Sequence, residues 1–190
     1  MRLKVGVLGS TRGTALQGVI DAIATGELDV ELVLVVSDRA TAPILQRAAE
    51  YEIKATHLDA KGLTREVYDE RVTEALVQAG AELVLMIGYM RIVSPAFVAA
   101  WRGRLLNVHP SLLPAFGGLM NKSVHEAVLE AGVGETGCTI HQVTEDVDAG
   151  PIVLQKRCAV LPGDTADTLK DRVQALEQAA FVEVLKGWGA

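Results

Sequence analysis

In the run Leu105-Leu106-Asn107-Val108-His109-Pro110, an amide and an imidazole stand two residues apart in an otherwise apolar stretch. Side chains alternate across an extended chain, so Asn107 and His109 share one face while Leu106 and Val108 take the other. Two residues of rise separate them by roughly 6.6 Å, near enough for both to touch one small reacting group. An amide N–H can stabilise a developing oxyanion, and an imidazole can add a donor or move a proton. Pro110 holds His109 extended at the strand end, and open α/β sheets bind their ligands beyond such ends. A lone histidine here also reads as a core residue satisfied by a carbonyl, with Asn107 as its neighbour. Two polar side chains on one face would be expensive to bury unused, which favours chemistry.

The second candidate is the turn Leu8-Gly9-Ser10-Thr11-Arg12-Gly13-Thr14, which joins a strand to a helix. Unpaired N–H groups and the positive helix end meet there, as in an anion site. It is neither a P-loop nor a G-x-G-x-x-G turn. Arg12 points towards phosphate; a plain tight turn is the other reading. Asp38, just past the second strand, keeps open a nucleotide-binding module in which it holds a ribose. The third is the loop Glu145-Asp146-Val147-Asp148-Ala149-Gly150-Pro151, whose Gly and Pro would fix its shape. Periodicity does not choose among its three carboxylates. His57, His125 and His141 read as strand-end, helix and strand residues, the last able to face the cleft. No spacing matches a metal-ligand motif, so no metal is expected.

The elements that must position these residues alternate in the first half between short β-branched runs and segments of helical period, the pattern of repeated βαβ units. Strands are expected at Leu3–Leu8, Glu31–Val36, Ala55–Leu58, Leu83–Ile87 and Leu105–His109, with helices at Gly13–Thr25, Thr41–Tyr51, Thr64–Ala79 and Ser94–Trp101. Ser94-Pro95 is an N-cap followed by proline at the first helical position. Beyond His109 come a Pro- and Gly-containing loop, a short helix near Val124–Ala131, β-rich runs at Cys138–Val143 and Ile152–Val160, and a last helix over Thr165–Lys186. The two β-rich runs suit an antiparallel pair, and a register symmetric about Asp148 would set Cys138 opposite Cys158 unless a bulge intervened. The fold class is therefore α/β: a single Rossmann-like domain with a mostly parallel twisted sheet, helices on both faces and an antiparallel C-terminal strand pair.

Composition agrees. With 190 residues, 49% of them hydrophobic, the chain can bury a core without a metal or disulfide staple. A net charge of −6 argues against general affinity for nucleic acid. No apolar run approaches the ~18 residues of a membrane span, and no signal-peptide pattern follows the N-terminus, so a cytoplasmic protein is expected. Cys138 and Cys158 read as buried thiols.

The run Asn107-Val108-His109-Pro110-Ser111-Leu112-Leu113-Pro114, taken with Asp148-Ala149-Gly150-Pro151, resembles the folate-dependent formyltransferase family, and within it the phosphoribosylglycinamide formyltransferases. Gly9–Gln17, the stretch from Gly88 to Phe97 and Gln174-Ala175-Leu176-Glu177 extend the likeness over nearly the whole chain. The resemblance implies transfer of a formyl group from 10-formyltetrahydrofolate, as co-substrate, to the amine of phosphoribosylglycinamide in de novo purine biosynthesis. It implies one formyltransferase domain over residues 1–190, with a phosphate-binding N-terminal half and a folate-binding C-terminal half, and is compatible with a homodimer. Asn107, His109 and Asp148 match the catalytic trio. Arg12, Gly13, Thr14 and Ala15 match the phosphate stretch, and Gln174 and Glu177 the ribose grip. Met90, Arg91, Ile92, Val93, Val147, Ala149 and Gly150 match the folate walls, with Arg65 a further ligand contact. Ala15 stands where the family usually shows Asn, and the 117–123 loop differs from the commoner shorter form. Hydrolysis of formyltetrahydrofolate, or formylation of another amine, is the alternative that the same motifs allow.

Overall fold

The computed structural model describes residues 2–120 and 122–188. The first five strands are β1 (Leu3–Leu8), β2 (Val30–Ser37), β3 (Ala55–His57), β4 (Leu83–Met86) and β5 (Leu105–His109). They run parallel because a helix carries the chain back between each pair: α1 (Thr14–Ala24), α2 (Pro43–Glu50), α3 (Arg65–Gln78) and α4 (Pro95–Ala100). After β5 come α5 (Lys122–Glu130), the antiparallel strands β6 (Glu135–Gln142) and β7 (Ile152–Ala159), and α6 (Ala166–Lys186). The sheet order is β3-β2-β1-β4-β5-β6-β7. The chain leaves β1 in one direction and returns to β4 on its other side, which opens a crevice beyond the carboxyl ends of these two strands.

Both faces of the central strands are covered, so β1 and β4 are apolar almost throughout rather than alternating. Val5 and Val7 of β1 pack with Leu16, Ile44 and Phe181 of α1, α2 and α6 on one side. Leu8 packs with Tyr68 and Val72 of α3, Phe97 of α4 and Trp101 just after it on the other. Ser94 caps α4 by accepting the Phe97 N–H at 3.3 Å, with Pro95 in the first turn, as the sequence predicts. Its own N–H donates to the buried Asp69 carboxylate of α3 at 2.5 Å. That bond fixes the segment between β4 and α4, which forms one wall of the crevice.

Every expected element is present, with ends displaced by one to three residues where terminal turns tighten or fray. The pairing of Cys138 with Cys158 is not what forms. Cys138 sits opposite Lys156, and Cys158 opposite Thr136. The Gln142 N–H donates to Pro151 O at 2.9 Å, closing the β6–β7 loop off-centre from Asp148, and an irregularity between Ile140 and His141 shifts the ladder further. Gly150 permits this closure: a Cβ there would lie 1.8 Å from Gln142 O.

Candidate active site

The turn after β1 enters α1 through Gly13, which has a left-handed backbone (φ 60°) and lies against Ile44, where an added Cβ would fall 2.4 Å from Ile44 Cδ1. No side chain caps α1, so its first N–H groups are left facing the crevice beside the positive end of the helix. Thr11, Gly13, Thr14 and Ala15 line the crevice. Arg12 is exposed and is not among the lining residues; its carbonyl accepts from Arg47 at 3.2 Å. What this turn presents to the crevice is thus backbone together with Thr11 and Thr14, and not Arg12. Asp38 accepts the Ser10 hydroxyl proton at 2.6 Å, and Ser10 Oγ in turn accepts the Met90 N–H at 2.9 Å. This carboxylate braces the turn against the β4–α4 segment.

At the end of β5, Asn107 and His109 both line the crevice, together with His141 of β6 and Asp148. The antiparallel register puts Asn107 directly opposite His141. Asn107 Nδ2 lies 3.1 Å from His141 Nε2, and His141 Nδ1 lies 3.0 Å from Gln142 O. Assigning the His141 proton to Nδ1, where it donates to that carbonyl, leaves Nε2 to accept one of the two Asn107 amide protons. The second amide proton remains for a ligand. Asp148 Oδ2 is 3.2 Å from His109 Nδ1, and Oδ1 is 3.5 Å from His141 Nε2. His109 Nε2 meets Phe116 O at 3.0 Å, and the Gly118 N–H donates to Asp148 Oδ2 at 2.9 Å. The three acidic neighbours of the loop now separate. Glu145 pairs with Arg102 at 3.1 Å and Asp146 is exposed, while Asp148 turns inward.

Burial lowers the His109 pKa below the ordinary histidine value, against the opposing pull of Asp148 and Phe116 O. Desolvation thus outweighs the neighbouring carboxylate. Burial also works to raise Asp148, but His141, the Gly118 N–H and the charge on His109 together hold its carboxyl below the usual range.

The remaining expected residues divide. Met90, Arg91, Ile92, Val93 and Val147 line the crevice, Ile92 and Val147 as exposed apolar side chains able to flank a flat ring. Gln174 and Glu177 of α6 line the opposite side. Ala149, Gly150 and Arg65 are not among the lining residues; Arg65 is exposed on α3 beside Glu66. His141, His125 and Lys170 line the crevice without having been singled out by the sequence reading. For His141 the signal was available, since it alternates with Cys138 and Ile140 along a strand that pairs with Asn107. Its use depends on the register, which spacing alone does not supply.

An open α/β sheet whose switch-point crevice joins free helix N–H groups to an amide, two imidazoles and a carboxylate offers donors for a developing oxyanion and a ring able to move a proton. Residues 3–185 match the family described as Formyl transferase. The chain is 39% identical over 184 residues to phosphoribosylglycinamide formyltransferase of Escherichia coli strain K12, covering 96% of this chain and 85% of that protein. It is 45% identical over 187 residues to the trifunctional purine biosynthetic protein adenosine-3 of Drosophila pseudoobscura pseudoobscura, covering 97% of this chain and only 14% of that much longer protein. Among solved structures, glycinamide ribonucleotide transformylase 1 from Symbiobacterium toebii superposes with a TM-score of 0.92 at 41% identity, over 97% of this chain and 86% of that one. The chain belongs to the formyl transferase family. Among the described residues, no helix is long and apolar enough to cross a membrane.

Proposed function

We propose that this protein transfers the formyl group of 10-formyltetrahydrofolate to the amine of 5'-phosphoribosylglycinamide, a step of de novo purine biosynthesis. The observation that carries the reading is the contact of Asp148 with His109, beside an Asn107 amide that has a proton to spare. In this reading the N–H groups of Gly13, Thr14 and Ala15 hold the substrate phosphate, while Gln174 and Glu177 hold the ribose. The folate ring lies between the Met90–Val93 segment and the loop of Val147 and Asp148. Folate contacts thus come from both halves of the chain.

The chemistry follows from these positions. The amine nitrogen attacks the formyl carbon, and the carbonyl electron pair moves to oxygen. Asn107 donates its free N–H to that oxyanion, a contact whose loss typically costs about 10²–10³ in rate. In its neutral form His109 keeps its Nδ1 proton on Asp148, and Nε2 faces the substrate once the Phe116 carbonyl has yielded. Nε2 takes the proton released by the attacking amine and passes it to the folate nitrogen as the carbon–nitrogen bond breaks. Asp148 stabilises the imidazolium in between. Holding two substrates in line supplies much of the rest.

The test is an assay of formyl loss from 10-formyltetrahydrofolate with and without phosphoribosylglycinamide. Turnover that needs the ribonucleotide and yields its formylated product supports the proposal. Equal turnover without it would show a hydrolase, and transfer only to other amines would show a different acceptor.

A further inference from the structure

α6 turns three polar side chains to the crevice, Lys170, Gln174 and Glu177, at a spacing that stacks them in one row. Glu177 is 9% exposed, and burial raises its carboxyl to about 7, with the Lys170 charge opposing that rise. Across from the row stands His125 of α5, 2% exposed, whose Nδ1 has no hydrogen-bond partner among the described residues. Burial, followed by the nearby Lys170 charge, pushes His125 down to about 4. The Lys170 ammonium therefore lies within electrostatic reach of a buried carboxyl on one side and a neutral imidazole on the other.

The rest of the crevice is short of positive charge. Its charged lining comprises four carboxylates, Glu145, Asp146, Asp148 and Glu177, against two cations, Arg91 and Lys170. Arg91 is placed over the Tyr68 ring at 4.5 Å, on the side of the Met90–Val93 segment. Half-buried Lys170 has neither an ion pair nor a hydrogen bond among the described residues. With Arg12 turned out of the crevice, a phosphate monoester entering a chain of net charge −6 meets backbone N–H groups but no side-chain cation at the first turn. With Glu145 paired to Arg102, repulsion from Asp146, from Asp148 and from Glu177 when ionised must then be offset from elsewhere.

We propose that Lys170 is a specificity-determining residue for the anionic, phosphorylated substrate, supplying the cation of the α6 wall, with His125, whose Nδ1 has no hydrogen-bond partner among the described residues, beside it as a further polar group. The inference rests on the proposed reaction for the identity of the substrate, though not for its charge. A solvated surface lysine would leave substrate affinity and its salt dependence unchanged.

The experiment compares Lys170→Met and Lys170→Arg with the unaltered protein. Loss of a charge-assisted contact predicts a rise of about tenfold in KM for phosphoribosylglycinamide in the Met variant. The KM for folate should hold, kcat should fall far less than KM rises, and the salt dependence of kcat/KM should flatten. The Arg variant should recover most of the lost affinity. An unchanged ribonucleotide KM in Lys170→Met, or an equal rise in the folate KM, would overturn the proposal. A second measurement, calorimetric binding of ribose 5-phosphate with ribose as the uncharged control, stands apart from turnover. If formyl transfer is absent but ribose 5-phosphate binds more weakly to Lys170→Met than to the unaltered protein, the reaction assignment fails and Lys170 keeps its role. Equal binding to both proteins, or no binding to either, removes that role.

Discussion

Asp148 reaches back to His109 with 3.2 Å between Oδ2 and Nδ1, from a backbone at φ 54° that few residues adopt. Aspartate tolerates this left-handed conformation better than most residues, and here it turns the carboxylate inward and onto the Gly118 N–H. The contact between Asp148 and His109 is thus set by a local backbone conformation that the surrounding loop maintains.

His109→Ala should lower kcat by at least about 10²-fold, because the proton path between amine and folate nitrogen would be lost. Asp148→Asn should also be severe, since the amide keeps the shape but does not stabilise the imidazolium formed in turnover. Circular dichroism should show both variants folded, with steady-state kinetics carrying the loss. Wild-type turnover by either variant would remove that residue from the mechanism.

His141→Leu tests the strand histidine that the sequence leaves able to face the cleft but without a role. Without Nε2, Asn107 loses the acceptor that orients its amide at 3.1 Å. His109 loses a neighbour that lowers its pKa, so the imidazole should titrate at higher pH and the acid limb of kcat should move upward with it. A kcat loss smaller than that of His109→Ala is expected, because the proton-transferring ring remains. An unshifted acid limb would make His141 a packing residue only.

What the sequence made legible was the part governed by local rules. Hydrophobic periodicity placed the elements, and the Asn107-x-His109 spacing placed two groups on one face. What stayed hidden depended on long-range register and side-chain direction. The partnership of His141 with Asn107 requires knowing how β6 slides along β5, and the off-centre closure at Gln142–Pro151 parts Cys138 from Cys158. Arg12 is adjacent in sequence to the uncapped start of α1 yet is exposed and lies outside the crevice lining, since nothing in composition fixes the direction of a turn residue.

Gly150→Ala should damage the site from a distance. Its new Cβ would lie 1.8 Å from the Gln142 carbonyl, so the loop closure must open and carry Asp148 with it. Overpacking of this kind costs roughly 1–3 kcal/mol, read as a lower Tm. A fall in kcat should accompany it as the Asp148–His109 contact lengthens. Unchanged Tm and kcat would show that the loop adjusts without strain.

His125 should make the fold acid-sensitive. Its folded pKa of about 4 lies below the unfolded value of 6.5, so the stability it contributes is present above pH 6.5 and is lost as pH falls towards 4. The full loss is on the order of 3 kcal/mol. His109, lowered in the same direction, adds to it. Denaturant unfolding across this range should show the decline in the unaltered protein and a shallower one in His125→Leu; identical slopes would contradict the placement of this ring.

Glu177 should behave in the opposite sense. Its folded pKa, raised by burial to about 7, exceeds the ordinary 4.5, so its contribution is full below pH 4.5 and disappears as pH rises through 7. Above that, the protein holds a buried carboxylate at a penalty on the order of 3 kcal/mol. Glu177→Gln removes the charge while keeping the shape, so the variant should be more stable than the unaltered protein at pH 8 and nearly equal to it at pH 5. The same change should raise KM for the ribonucleotide, since an ionised carboxylate accepts hydroxyl protons better than an amide oxygen does. Greater stability joined to weaker substrate binding is what a group retained for binding rather than folding produces. A variant that lost both, or neither, would show that Glu177 belongs to the core.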